Sequence, residues 1–158
     1  AFSDPGKHER ALLVGVEQCP GDPQSIAHQI VVIPATGSAT ALARAEVADD
    51  RLLQTFDLSR DGQDEFFLAR NTKTNGVQGV QAQIYQFDKG KLRTLEDFGE
   101  VYENDCQSQF SAQGISAAVV DYIPRTAKEE LPRFVVQLYR AACPKDGAAP
   151  QWQLVSPK

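Results

Sequence analysis

The segment EFFLARNTKTNGVQGVQAQIYQFDKGKLRTLEDFGEVY, residues 65–102, decides the fold class of this chain. Its apolar runs are rich in β-branched and aromatic residues and partly alternate with polar ones, a pattern typical of strands. Asn75-Gly76 and Asp88-Lys89-Gly90 separate the runs, and such residues supply the positive φ angles of tight hairpin turns. The segment therefore predicts an antiparallel meander. Its three predicted strands are 65–69, 77–87 and 92–102.

The rest of the chain extends the same pattern. Residues 38–53 are ambiguous, because their alanines and a capping Ser38 favour a helix, whereas Leu42, Arg44 and Glu46 alternate with alanines as in a strand. The prediction for the whole chain is a mostly β fold. Further strands are expected at 11–16, 26–33, 115–123, 134–139 and 151–155.

Composition limits the class of protein. A chain of 158 residues with 42% hydrophobic and 23% charged residues is typical of one folded domain, 1–158. The formal net charge is −5 and the basic residues are scattered, so we expect no nucleic-acid partner. No apolar run approaches the roughly 20 residues of a membrane helix, so we expect no membrane insertion.

Three cysteines, and a chain that starts at Ala1 without any methionine, favour an exported and processed protein. The expected location is extracytoplasmic: periplasmic, secreted or attached to a surface. Three single bridges are open to three cysteines. We favour Cys106 with Cys143, because both lie in the last third of the chain just outside predicted strands, and this choice leaves Cys19 free.

The most chemically specific stretch is the acidic loop, residues 57–65, with sequence DLSRDGQDE. Oxygen-bearing side chains recur at alternate positions, and Gly62 allows a sharp turn. Calcium takes six to eight oxygen ligands, so the loop is a candidate calcium site. An EF-hand would need a glutamate where Leu68 stands, so the loop is not an EF-hand. The candidate ligands are Asp57, Ser59, Asp61, Gln63 and Glu65.

Residues 56–68 resemble the loop and strand of the FG-GAP, or integrin-α-like, β-propeller repeat, in which an Asp-x-Asp-x-Asp-Gly-x-x-Asp/Glu run precedes an apolar strand. The resemblance implies the same five calcium ligands. Two residues depart from the family pattern, since Ser59 replaces a stronger ligand and Arg60 adds a positive charge. The alternative is a metal-free turn closed by its own side-chain to backbone hydrogen bonds.

Two weaker copies of this loop-and-strand pattern, near Asp4 and near Asp121, suggest three propeller-blade-like modules, 1–50, 51–112 and 113–158. Propellers have about four to eight blades, so three modules do not close alone. The chain would then be part of a larger propeller or be completed by a second copy as a homo-oligomer. The remaining alternative is a β-sandwich or open β domain.

No catalytic or zinc motif occurs, and His8 and His28 are better interpreted as structural. The expected function is a noncatalytic binding or interaction module for a protein or glycan, stiffened by calcium if calcium binds. One alternative is a secreted hydrolase whose carboxylates converge only in the fold, which requires a pocket with converging acids. The other is a protein inhibitor acting through residues 125–131.

Overall fold

The computed structural model describes residues 1–3, 6–19, 26–37, 40–108, 114–124, 132–145 and 148–157. All regular structure within these residues is β, and they contain no helix of membrane-spanning length and apolarity. The strands are β1 (Glu9–Glu17), β2 (Ile26–Pro34), β3 (Ala43–Val47), β4 (Arg51–Phe56), β5 (Glu65–Thr74), β6 (Val77–Asp88), β7 (Lys91–Asn104), β8 (Ile115–Ile123), β9 (Arg133–Ala141) and β10 (Gln153–Pro157).

The strands form two sheets in simple sequential order. One sheet has three strands, β1-β2-β3, and the other has seven, β10-β9-β8-β7-β6-β5-β4. Within each sheet, strands that are consecutive in sequence lie side by side, so the predicted mostly β antiparallel meander is confirmed. The ambiguous segment 38–53 contributes strands β3 and β4 rather than a helix. The three-stranded sheet lies within predicted module 1–50, whereas the other two predicted modules contribute to one sheet.

The two predicted hairpin turns are present. Asn75 and Gly76 have φ angles of 51° and 84° between β5 and β6, and Lys89 and Gly90 have φ angles of 50° and 79° between β6 and β7. Two consecutive positive φ angles define the turn type whose twist matches that of paired strands. Local sequence chemistry therefore fixes the register of the central three strands.

The described residues group into two compact units. Unit 1 contains Ala1–Arg70 and Gln83–Asp97. Unit 2 contains the described residues within Asn71–Ala82, Phe98–Thr126 and Leu131–Lys158.

The core of unit 1 draws on both sheets. Ile30 and Val32 of β2 and Phe66 and Leu68 of β5 are fully buried in one cluster. Phe66 stacks on Phe2 with ring centroids 4.9 Å apart and meets the edge of Phe87 at 5.6 Å. Buried aromatic rings bring large apolar areas into a core, so this cluster is the main stabilising contact of unit 1.

Hydrogen bonds fix the residues beside Phe2. The Glu9 carboxylate accepts hydrogen bonds from the backbone N–H groups of Phe2, at 2.6 Å, and of Ser3, at 2.8 Å. Partial burial acts to raise the pKa of Glu9, but the bonds from Ser3 and Phe2 outweigh it, and the pKa is lowered. The Ala1 ammonium group pairs with Asp64 at 2.6 Å, next to the start of β5.

Unit 2 is held by a small core and a disulfide. Phe98 and Phe134 meet edge to face at 5.2 Å. Asn104, Ile115 and Ala141 share one row of β7, β8 and β9, and the two bridging cysteines each lie two residues beyond that row. Cys106 and Cys143 form a disulfide with their Cα atoms 5.5 Å apart, the pairing expected from the sequence, and Cys19 is exposed.

A chain of side-chain hydrogen bonds in unit 1 links the buried Asp49 to Tyr85, Gln83 and Asp97. The Tyr85 hydroxyl is shared between Asp49 Oδ2, 3.0 Å away, and Gln83 Oε1, while Gln83 Nε2 donates to Asp97 at 2.6 Å. Asp49 is only 1% exposed, and burial raises its pKa, although the Tyr85 hydroxyl and the charge of Arg70 oppose the rise. Asp49 therefore keeps its proton to a higher pH than an exposed aspartate does.

Replacement of Asp49 by Asn tests whether folding raises the pKa of Asp49. A carboxyl whose pKa is raised on folding contributes stability below its unfolded pKa, and this contribution is lost as the pH rises through the folded pKa. We expect D49N to gain stability relative to wild type as the pH rises from 4 to 7, by about 1.4 kcal/mol for each unit of pKa difference removed. Urea unfolding at several pH values measures this difference.

Tyr85→Phe is the companion variant. It removes a hydrogen bond that favours ionised Asp49, so its stability should fall more steeply than that of wild type over the same pH range. If D49N and wild type show parallel pH profiles, folding does not shift the pKa of Asp49 and the interpretation is wrong.

Candidate functional site

The acidic loop connects β4 to β5 and turns sharply. Arg60 and Gly62 both have positive φ angles, 59° and 88°, and a non-glycine residue in that region marks a tight reversal. Of the five candidate ligands, Glu65 is fully buried and Ser59 is 6% exposed. Asp57 is exposed, while Asp61 and Gln63 are half-buried.

Three of the four carboxylates of the loop, those of Asp57, Asp61 and Glu65, accept hydrogen bonds from its own backbone. Asp57 accepts from the N–H of Gly62 at 3.1 Å, and Asp61 accepts from that of Gln63 at 2.7 Å. Glu65 accepts from the N–H of Leu58 at 2.6 Å. These contacts have the geometry expected of the metal-free turn.

A side chain from β6 joins two of these acids. Gln86 Nε2 donates to Asp61 at 3.0 Å and to Glu65 at 3.3 Å. Burial raises the pKa of Glu65, and the Leu58 N–H and the nearby Ser59 hydroxyl oppose the rise. The Ser59 hydroxyl itself is buried and makes no hydrogen bond of normal geometry. The structure thus brings Asp61 and Glu65 to one amide.

A group of potential metal ligands lies away from the acidic loop, in unit 2. Among the described residues, Asp105, Cys106 and Cys143 have ligand atoms within 4.8 Å of one another, but the two sulfur atoms are joined as a disulfide. The carboxylates of Asp57, Asp61 and Glu65 form no such group in the described geometry.

A second polar cluster lies in unit 2, where three strands align. Glu103 on β7, Ser116 on β8 and Arg140 on β9 occupy one cross-strand row. They line a small cavity of about 100 Å³ together with Asp105, Gly114 and Ile115. Asp105 is 5% exposed, and its carboxylate accepts a hydrogen bond of 2.5 Å from the N–H of Gly114.

Two carboxyl groups meet beside this cavity. Burial and a hydrogen bond with Glu100 raise the pKa of Glu103, and the charges of Glu100 and Asp105 add to the rise, while Arg140 opposes it. Two neighbouring carboxylates resist ionising together, so Glu103 keeps its proton to a higher pH than a lone glutamate does.

Gly79 makes room for a contact between Thr72 and Glu100. Gly79 on β6 lies between Thr72 and Glu100, and the Thr72 hydroxyl donates to Glu100 at 3.3 Å. A Cβ at Gly79 would collide with the Thr72 hydroxyl and lie 3.0 Å from Glu100 Oε1. The missing side chain therefore lets the threonine reach the glutamate.

A larger cavity of about 640 Å³ adjoins the row at Arg140. Its described lining contains two cations, Arg140 and Lys145, and two amides, Gln151 and Gln153, but no carboxylate. The backbone N–H of Ala148 donates to the Lys145 carbonyl at 3.0 Å and holds part of the wall. The remaining described lining is small or apolar: Ala141, Ala142, Cys143, Pro144, Ala148, Ala149 and Pro150.

Sequence reasoning missed Glu103, Ser116 and Arg140 because only strand register places them together. The nearest sequence signal is Cys143-Pro144, which marks the loop that forms the cavity wall. Trp152 is 42% exposed and lies in sequence between the two lining glutamines, Gln151 and Gln153. The inhibitor segment, 125–131, lies outside the described residues.

Comparisons of the chain with protein-family models, with curated proteins and with solved structures give no match. A functional assignment therefore rests on the geometry of the two polar sites.

The effect of Glu100 on the pKa of Glu103 can be measured directly. We expect the side-chain carboxyl carbon of Glu103, followed by NMR, to titrate above the usual glutamate range. Glu100→Gln should lower the pKa of Glu103, because it removes a like charge, and Arg140→Ala should raise it further. A Glu103 pKa that does not respond to either substitution would show that the carboxyls do not interact.

Proposed function

We propose that the protein is a noncatalytic, extracytoplasmic binding module that takes a carboxylate-bearing ligand in the cavity beside Arg140. The observation that carries the proposal is the composition of that cavity, with two cations and no carboxylate among its described lining residues. Arg140 and Lys145 place two positive charges at this cavity in a chain whose formal net charge is −5, and such local charge attracts an anion.

Size and surface chemistry support a small ligand. Ligand pockets usually measure about 300–1,000 Å³, with apolar walls and a few polar groups that set orientation. The cavity of about 640 Å³ combines an alanine and proline wall with Arg140 and Lys145. Arginine binds carboxylates through paired N–H donors, and lysine contributes a point charge. The end of a peptide and an acidic sugar both offer this chemistry.

A binding role accounts for the carboxylates better than hydrolysis does. Glu103 and Asp105 line a cavity of about 100 Å³, which holds a few water molecules rather than a substrate. Asp105 accepts a hydrogen bond from the Gly114 N–H, and the charge of Arg140 favours the ionised form of Glu103, so both carboxyls have a structural use. The hydrolase alternative would require a substrate to reach Glu103.

The disulfide supports an oxidising compartment, because such bonds persist mainly in exported proteins. Calcium remains part of the proposal through the Ser59 hydroxyl, a buried oxygen without a normal hydrogen bond beside Asp61 and Glu65. Binding there would need the acids to exchange backbone N–H contacts for the ion. Its effect would be to stiffen the loop.

Titration with small acids tests the binding proposal. We expect glucuronate and N-acetylalanine to shift the backbone amide resonances of Arg140, Lys145 and Gln151, and expect glucose and N-acetylalanine amide to leave them unchanged. The two acids separate a sugar source of the carboxylate from a peptide source. Lys145→Gln should weaken binding by about tenfold or more, as expected for one lost charged hydrogen bond.

Lys91→Gln, an exposed lysine at the start of β7 in unit 1, is the matched control and should bind as wild type does. Equal shifts with charged and neutral probes, or equal effects of the two lysine substitutions, would refute a carboxylate site at this cavity.

Thermal unfolding with calcium and with chelator tests the acidic loop. Calcium at about 100 times its dissociation constant should stabilise the folded state by about 2.7 kcal/mol, and Asp61→Asn should abolish the shift. Lys145→Gln, distant in sequence from the loop, should retain it. An unchanged melting temperature at millimolar calcium would leave the loop as a hydrogen-bonded turn.

A further inference from the structure

Strand β1 has an exposed edge that resembles no other edge of the two sheets. It is nine residues long and pairs with β2 in continuous register from Glu9 to Glu17 without a bulge. Among the described residues, no strand pairs with its other side. An exposed, regular edge strand is a template for another strand, and proteins usually protect such edges.

The other three sheet edges carry the usual protection. β3 has only five residues and exposes Arg44 and Glu46, and β4 begins at Arg51 and contains an irregularity between Leu52 and Gln54. β10 has an irregular register and ends at Pro157. In β1, by contrast, residues 11–16 contain no charge, no proline and no bulge.

The direction of the backbone N–H and C=O groups shows which residues of β1 can pair at the exposed edge. The N–H of Ala35 donates to the carbonyl of His8 at 2.9 Å, so His8 directs its backbone groups towards β2. Orientation alternates along a strand, and the even-numbered residues of β1 therefore face β2. Ala11, Leu13 and Gly15 direct their N–H and C=O groups to the exposed edge.

Side chains divide in the same alternating way. Ala11 and Leu13 pack against the core of unit 1. Leu12, Val14 and Val16 point to the opposite face and are 44%, 37% and 40% exposed. The edge thus combines outward backbone groups with three exposed apolar side chains in one row.

We propose that β1 pairs antiparallel with β1 of a second copy, with Val14 on the two-fold axis. A two-fold axis normal to the sheet keeps each side chain on its own face. The axis must therefore pass between the two copies of one residue, which face each other. With Val14 there, Leu12 faces the partner's Val16, and Leu13 faces the partner's Gly15. The five residues from Leu12 to Val16 then pair only with one another, Ala11 faces the partner's Glu17, and the hydrogen-bonded rows use the outward backbone groups.

The neighbouring registers are worse. A two-fold axis at Leu13 sets Glu9 opposite Glu17, and like charges directly opposed are destabilising. An axis at Gly15 sets Leu13 opposite Glu17 and Leu12 opposite Gln18. The sequence of β1 is therefore complementary to itself in one register. This pairing is independent of the proposed ligand cavity.

Cysteine cross-linking tests the register. In a Cys19→Ser background, Val14→Cys places the two thiols across a row without hydrogen bonds, where Cα atoms are about 4.5 Å apart, within the range of a disulfide. Mild oxidation should yield a covalent dimer at least tenfold faster than for Leu12→Cys, whose copies would lie about four residues apart. A mixture of Leu12→Cys and Val16→Cys chains should cross-link as mixed dimers.

Val119→Cys, a 46% exposed residue on β8 in unit 2, gives the rate of random collision. Cross-linking of Val14→Cys at that rate would overturn the proposal, and equal rates for Val14→Cys and Leu12→Cys would overturn the register. As a second measurement, Val14→Lys should sediment as a monomer and keep the melting temperature of wild type at low concentration. Wild-type chain that stays monomeric at millimolar concentration would also overturn self-pairing.

Discussion

The packing of Phe66 against Phe2 and Phe87 is the contact on which unit 1 depends, and it determines the state of the acidic loop. Strand β5 must begin deep in the core for Phe66 to be buried, so the residue before it, Glu65, is buried as well. A buried carboxyl needs hydrogen-bond partners, and the Leu58 N–H and Gln86 supply them. The loop closes around Glu65 because the next residue, Phe66, packs in the core and brings Glu65 into the interior with it.

Unit 2 depends on register instead of on a large apolar core. Adjacent strands bring Glu103, Ser116 and Arg140 into one row, and the disulfide joins the ends of β7 and β9 just beyond it. In the chain-entropy account, a bridge between cysteines 37 residues apart stabilises the fold by about 4 kcal/mol. The same bridge forms part of the wall of the larger cavity, so it stabilises the fold and shapes the site together.

Local chemistry made much of the fold predictable. Asn75-Gly76 and Lys89-Gly90 specify their turns by backbone preference alone, and the mostly β class followed from residues near them. The segment 38–53 stayed ambiguous because its alanines fit either element, and strand pairing with β2 decided it. The row of Glu103, Ser116 and Arg140 could not be predicted, because Glu103 and Arg140 become neighbours only through β8. The acidic loop shows a further limit, because one pattern of oxygens suits either an ion or backbone N–H groups.

The buried carboxyls give the protein opposing responses to pH. Asp49, Glu65 and Glu103 have raised pKa values, with burial as the first cause, so their contribution to stability is present at low pH and is lost as the pH rises through their folded pKa values. Glu9 has a lowered pKa, because hydrogen bonds from Ser3 and Phe2 outweigh its partial burial, and its contribution is lost as the pH falls. Glu9 fixes the segment that carries Phe2, and its contribution to stability has the opposite pH dependence to those of Glu65 and Asp49 in the same unit. As the pH falls, Glu65 therefore takes up its proton before Glu9 does, and the hydrogen bonds from Glu9 that hold the segment of Phe2 are weakened later.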